Sequence, residues 1–195
     1  MQTSFDSTLI VIFDNDGESN LSNLLEFFTF NNLPTTIVST QREFWSKIRK
    51  SSEYSFDYIL TIDGNSKEPE DFSKLFEKIN DAEIVIGQRQ GNYTYSKLFN
   101  LTYFKWSMFN DWFSPVRLYR IETLLNLNKY TFSDDLESFQ FETLAKSLEL
   151  GCAVAEVEIK IPLTLKNVTI YDVTKYWYSL LSYKNPPTYN EQSLY

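Results

Sequence analysis

A chain of 195 residues with a formal net charge of −8 and no histidine excludes a histidine-ligated zinc site and a histidine proton shuttle, leaving neutral-pH proton transfer to carboxylates, tyrosine or lysine. The acidic excess opposes nonspecific adhesion to nucleic acid or to an anionic membrane, and the single cysteine, Cys152, rules out an internal disulfide and favours a reducing compartment. The length suits one domain whose core draws on 16 Phe and 13 Tyr.

Thr8 to Phe13 is a continuous apolar run, the pattern of a central parallel strand, and it ends in the acidic stretch Asp14-Asn15-Asp16-Gly17-Glu18. Leu21, Leu24, Leu25 and Phe28 recur at helical spacing until Asn31-Asn32-Leu33-Pro34 stops them. A strand over 35–39 and a short helix over 41–50, resting on Phe44, Trp45 and Ile48, follow. The run from Asp57 to Asp63 then delivers a carboxylate to a strand's carboxyl edge, where open α/β sheets bind ligands. Pro69, Glu70 and Asp71 open an amphipathic helix carrying Phe72, Leu75, Phe76 and Ile79, and the next strand runs from Glu83 to Arg89. Two strands joined by a helix of this length predict a right-handed parallel crossover that brings Arg89 to the edge holding Asp63.

Beyond Arg89 the alternation breaks. An aromatic-rich helix is expected over 96–110, then a loop from Asp111 to Pro115, a short strand from Val116 to Arg120, and a short helix from Ile121 to Leu127. Asp134 and Asp135 form another acidic turn, with Ser133 as a cap. A helix from Phe139 stops at Gly151, and a strand from Ala153 to Ile161 follows, with Cys152 read as a buried strand residue. An amphipathic helix over 170–183 and a disordered tail from Asn185 complete the chain. No leader with a basic region and no run of about 18 apolar residues is present, so a cytoplasmic, soluble protein is expected.

Four blocks in order resemble the family 2 glycosyltransferases of GT-A fold, particularly the dolichyl-phosphate sugar synthases. The family's strand ending in an Asp-x-Asp motif with following Pro and acids is similar to Ile59 to Asn65 with Pro69-Glu70-Asp71. Its Val-x-Gly-Ser-Arg strand end is similar to Ile84 to Arg89. Its Asp-Pro-x-Ser-Gly-Phe-Arg-x-Tyr block is similar to Asp111 to Tyr119, and its Phe-x-x-Glu, Gly and Glu-Val-Pro elements to Phe139 to Glu142, Gly151 and Glu156-Val157. Asn65 stands in place of the second motif Asp, Pro115 in place of a Gly, and Ser39-Thr40 where the family carries an acid for the base or ribose. A chain of this size without membrane helices is also similar to small crenarchaeal-virus glycosyltransferases, which implies a host cytoplasm.

The resemblance implies an α/β fold with a mixed, mostly parallel sheet in a single domain. Its nucleotide half spans 1–90 and its acceptor half 91–165, with a C-terminal helix over 166–184 and a flexible tail over 185–195. It also implies a sugar transfer, inverting in outcome, from a nucleotide-sugar donor to a glycan, protein or lipid-phosphate acceptor, with peripheral membrane contact left open. The leaving diphosphate concentrates negative charge, so Mn2+ or Mg2+ held by Asp63 and Asn65 would stabilise bond breaking. Arg89 is implied as a phosphate ligand, Asp14 and Asp16 as the lining of the nucleotide end, and Glu142 or Asp111, with Asp135 in reserve, as the base for a hydroxyl acceptor. Each residue has a plainer reading: Asp63 and Asp14 as loop or helix caps, Arg89 as a surface charge, Glu142 as a first-turn helix acid, Asp111 as a loop staple. Two other classes stay open: a phosphoacceptor receiver of flavodoxin-like fold, with Asp14, Asp16 and Asp63 at one edge, and a GT-A-like protein that binds a nucleotide or partner without turnover.

Overall fold

The computed structural model describes residues 7–14, 21–51, 56–64, 66, 71–89, 109–133, 136–160, 174, 175 and 178. The apolar runs become strands where expected. β1 (Thr8–Phe13) is buried along its whole length, and β2 (Thr35–Val38), β3 (Tyr58–Asp63), β4 (Ile84–Gln88), β5 (Arg117–Arg120) and β6 (Val154–Glu158) complete a single sheet among the described residues. Helices α1 (Leu21–Phe30), α2 (Gln41–Ser51), α3 (Ser73–Lys78), α4 (Ile121–Leu127) and α5 (Leu136–Glu149) cover it.

The strand order is β2-β1-β3-β5-β4-β6. β1 is parallel to β2 and β3, β4 is parallel to β6, and β5 is antiparallel to both of its neighbours. β4 therefore runs in the direction of β3 but does not touch it. The expected direct pairing of these two strands is replaced by an inserted β5, whose Arg117 sits opposite Thr61 on one side and Ile86 on the other. This insertion removes the receiver reading, because a flavodoxin-like sheet is parallel with its third and fourth strands side by side.

Alternation along the strands sends side chains to two layers. Leu9, Val11, Phe13, Ile59 and Tyr119 pack with Phe44, Trp45 and Ile48 of α2, Ile121, Leu124 and Leu127 of α4, and Phe139 of α5. Ile10, Ile12, Leu60, Ile62 and Leu118 pack on the other side with Leu24 and Phe28 of α1 and Leu75 and Phe76 of α3. Many of the described aromatic side chains go into this core: Phe44 meets Phe13, Trp45 and Phe139 at centroid separations of 5.5, 5.1 and 5.2 Å.

Local chemistry sets the helix ends. Thr40 Oγ1 accepts from Glu43 N at 3.1 Å while Glu43 returns a carboxylate to Ser39 N at 2.8 Å, a reciprocal cap that starts α2. Gly151, at φ +81°, ends α5, with Cys152 N donating to Ser147 O at 3.0 Å. The helix expected from Pro69 begins only at Ser73, because Asp71 holds a left-handed backbone, φ 70°, that cannot join a right-handed helix. Pro69 and Glu70 lie outside the described residues. So does nearly all of the helix expected over 96–110; of the one over 170–183, Thr174, Lys175 and Tyr178 are described, and all three are helical. No helix among the described residues is long and apolar enough to cross a membrane.

Candidate functional site

β1 and β3 end in step, with Phe13 paired to Asp63. Asp14 follows directly, its N–H donating to Val38 O at 3.0 Å, and Gly64 N donates to Phe13 O at 2.8 Å. Asp14 and Asp63 thus leave adjacent parallel strands at one carboxyl edge, both half-buried. A glycine suits position 64: a Cβ there would stand 3.2 Å from Phe13 O, so a side chain would push the loop off β1. Ser66 N then donates to Asp63 O at 2.9 Å, turning the loop back on itself. Asp16, Asn65 and Asp135 lie outside the described residues.

The shared row Thr61, Arg117, Ile86 places Asp63 and Gln88, two residues further on, to either side of the loop that enters β5. That loop is tied down by Ser114, whose hydroxyl donates to Gly87 O at 2.5 Å, and by Gly87 N donating to Val116 O at 2.9 Å. A Cβ on Gly87 would stand 2.2 Å from Ile159 Cδ1, so any larger residue at the β4 end would force the Ile159 side chain to move.

Arg89 and Asp111 find each other here. Arg89 Nε donates to Asp111 Oδ2 at 2.7 Å, Nη2 to Oδ1 at 2.8 Å, and the Arg89 backbone N–H to Oδ2 at 3.2 Å, while Phe113 N donates to Oδ1 at 3.2 Å. The Asp111 carboxylate is wholly buried. Its two oxygens accept four hydrogen bonds, and Arg89 spends a forked pair of donors on it. Asp111 is therefore a loop staple in this geometry, and the fork of Arg89 that would grip a phosphate is turned on Asp111.

Glu142 is also buried and occupied. It accepts from Ser133 N at 2.7 Å and from the Ser133 hydroxyl at 2.5 Å, so Ser133 serves a residue in the body of α5 and not the helix start. Because α5 begins at Leu136, Glu142 is past the first turn, and the first-turn dipole reading does not apply.

Two residues in the resembling blocks acquire partners that sequence reasoning did not assign. Arg117, buried on β5, donates to Trp112 O at 2.8 Å and to Gln140 O, joining the loop to α5. Glu156 on β6 accepts from Asn110 N at 2.9 Å and Asp111 N at 2.7 Å. Burial pushes its carboxyl above the usual carboxylate range, opposed by those two N–H groups and reinforced by the charge of Asp111. In a strand that alternates, Glu156 reads as a solvent-facing residue, and its partners stand 45 and 46 positions away.

Among the described residues no group of three or more acidic, Cys or His side chains is gathered to hold a metal. A Mg2+ or Mn2+ ion does not require one: such ions take one or two carboxylates together with substrate phosphates and water. Asp63, half-exposed at the strand end, supplies a hard oxygen donor of the right kind. Among the described residues, the crevice lined by Phe13, Phe44, Thr61, Tyr119, Phe139 and Thr143 on the aromatic face has no room for a water molecule.

No protein-family model matches the chain, and no curated protein is similar to it in sequence. Solved structures are similar in fold. Glucosyl-3-phosphoglycerate synthase from Mycobacterium tuberculosis in complex with Mn2+, UDP-glucose and phosphoglyceric acid aligns with a TM-score of 0.64 at 12% identity, over 92% of this chain and 80% of that one. The same enzyme with Mg2+ and UDP gives 0.66 at 12% identity, over 92% and 79%. Mannosyl-3-phosphoglycerate synthase from Rubrobacter xylanophilus gives 0.54 at 14% identity, over 90% and 71%. The chain has the GT-A fold, an α/β architecture with a mixed, mostly parallel sheet. Its structural neighbours are nucleotide-sugar-dependent glycosyltransferases; at this identity the likeness defines the fold.

Proposed function

We propose that this chain is a metal-dependent glycosyltransferase that moves a sugar from a nucleotide-sugar donor to a glycan, protein or lipid-phosphate acceptor with inversion. The observation that carries the reading is the paired ending of β1 and β3, which sets Asp14 and Asp63 side by side at the carboxyl edge of a GT-A sheet. Asp63, with Asn65 by its place in the sequence motif, would hold Mn2+ or Mg2+, which would supply charge neutralisation for the leaving diphosphate. Asp14 is assigned to the nucleotide end, and the sequence resemblance gives Asp16, outside the described residues, the same role. Arg89 and Asp111 engage each other, which leaves Glu142 or Asp135 as the candidate to take the proton of a hydroxyl acceptor, and an ionised phosphate acceptor needs no base. Incubation with UDP- and GDP-sugars in Mn2+ and in EDTA tests the reading: metal-dependent release of nucleotide, abolished by Asp63→Ala, supports it.

A second reading, a GT-A-like protein that binds its ligand without turnover, is favoured by one observation. Both carboxylates implied as the base, Asp111 and Glu142, are buried and engaged with the protein's own donors. Metal-dependent binding of a nucleotide sugar with no turnover in the presence of any acceptor would select it.

A further inference from the structure

We infer that Glu156 is a positioning residue, holding the Asn110–Asp111 turn so that Asp111 locks the Arg89 guanidinium at the carboxyl edge. Its catalytic consequence rests on the glycosyltransferase reading; its geometry does not.

Two consecutive backbone N–H groups point at the two oxygens of one carboxylate: Asp111 N at 2.7 Å from Oε1 and Asn110 N at 2.9 Å from Oε2. Asn110 Nδ2 adds a bond to Oε2 at 3.1 Å and one to Gln88 Oε1 at 3.2 Å, which ties the same turn to the end of β4. The turn so fixed presents Asp111 to the fork of Arg89. Arg89 and Asp111 neutralise each other, and among the described residues no lysine or arginine stands within ion-pair distance of Glu156. A half-buried carboxylate without a counter-ion carries a desolvation penalty that hydrogen bonds must offset. A carboxylate is nevertheless the side chain this turn requires. Glutamine would bring one oxygen and one NH2, setting a donor against one of the two N–H groups. Protonation has the same effect, since one oxygen becomes a donor. The charged groups facing Glu156 are Asp111 from the loop and, beyond it, Arg89 from the β4 end, with Glu158 two residues along its own strand.

Glu83 provides the control. It accepts from Ala153 N at 2.8 Å at the opposite end of the sheet, a purely structural carboxylate-to-backbone contact. The experiment compares wild type, E156Q, E156D and E83Q by the Arg89 Nε–H resonance in 15N NMR, assigned by its loss in R89K, and by UDP-glucose turnover with Mn2+ across pH. The resonance should exchange slowly with water in wild type and E83Q, and about tenfold faster in E156Q. Turnover should fall roughly ten- to hundredfold in E156Q, as expected for a misplaced site, with the affinity for UDP-glucose unchanged, and E156D should recover part of it. E156Q should lose the part of the acid limb that Glu156 sets, while the part set by the other site carboxylates remains. An unchanged Arg89 resonance in E156Q, or an altered resonance with unchanged turnover, overturns the inference. If E156Q does not fold, E156D against E83Q decides by the same two measures. A wild type that neither binds nor turns over any nucleotide sugar refutes the glycosyltransferase reading instead, and the resonance still decides the lock.

Discussion

Replacing Arg89 with methionine would strand the Asp111 carboxylate in a place water does not reach. Its side chain is fully buried and draws two of its four hydrogen bonds from the guanidinium. Removing one partner of a buried ion pair costs about 3–5 kcal/mol, because the remaining charge is neither solvated nor paired. At roughly 2–4 °C per kcal/mol for a chain of this size, R89M should melt about 6–20 °C below wild type. D111N should lose less, and the double variant less than the sum, with a coupling of about 2 kcal/mol or more because the two groups touch. Urea denaturation followed by circular dichroism on the four proteins measures the cycle. Additive losses of under about 1 kcal/mol each would show that the pair is a screened surface contact and that Arg89 is free to serve a phosphate. A nucleotide affinity that collapses in R89M while stability holds would refute the clamp in the same way.

Gly87→Ala should cost about 1–3 kcal/mol by overpacking against Ile159 and Val116, and Ile159→Val, which removes the atom 2.2 Å from the new Cβ, should recover part of that in the double variant; thermal melts of the pair check it. Phe44→Ala should cost about 3–5 kcal/mol, since Phe44 contacts Phe13, Trp45 and Phe139 at the centre of one layer; a urea midpoint near that of wild type would contradict this. Burial holds the Glu156 carboxyl above its unfolded value, so this group contributes stability that is present below the unfolded pKa and lost as pH rises through the folded one. Wild type should therefore gain stability relative to E156Q as pH falls through the folded pKa of Glu156, and a difference that does not change with pH would contradict the burial argument. Asn65→Asp should preserve or tighten binding of Mn2+ in the presence of UDP, measured by calorimetry; abolished binding in a folded variant would show that the metal shell lies elsewhere.

The strands were legible because each is a short apolar run bounded by acidic or turn residues, and the strand bounds shift by only a few residues, as at Val154–Glu158. α4 spans Ile121 to Leu127 as expected. The sheet order was not legible. β5 is four residues long, and nothing local in Arg-Leu-Tyr-Arg states that it slots between β3 and β4; that depends on pairings 56 to 62 positions away in β3 and 31 to 35 positions away in β4. The convergence of Asp14 and Asp63 followed from parallel strands of matched length, a property the apolar runs encode. The partnership of Arg89 with Asp111 did not, because a charge at a strand end reads alike whether it faces solvent, a ligand or a buried acid. For the same reason Asp111 and Glu142 looked equally available in the sequence, although each is filled by donors that a linear pattern leaves unnamed. The helix expected from Pro69 failed on one backbone torsion at Asp71, which a composition favourable to helix does not reveal.

The central claim is that the acid ending β3 holds a divalent ion against a nucleotide diphosphate. Calorimetric titration of UDP and GDP, each with and without Mn2+, into wild type and Asp63→Ala, with circular dichroism confirming that both are folded, tests it most directly. The account predicts binding of one nucleotide by wild type that requires the metal and is lost in Asp63→Ala. Metal-independent binding, or equal binding by the two proteins, would contradict it.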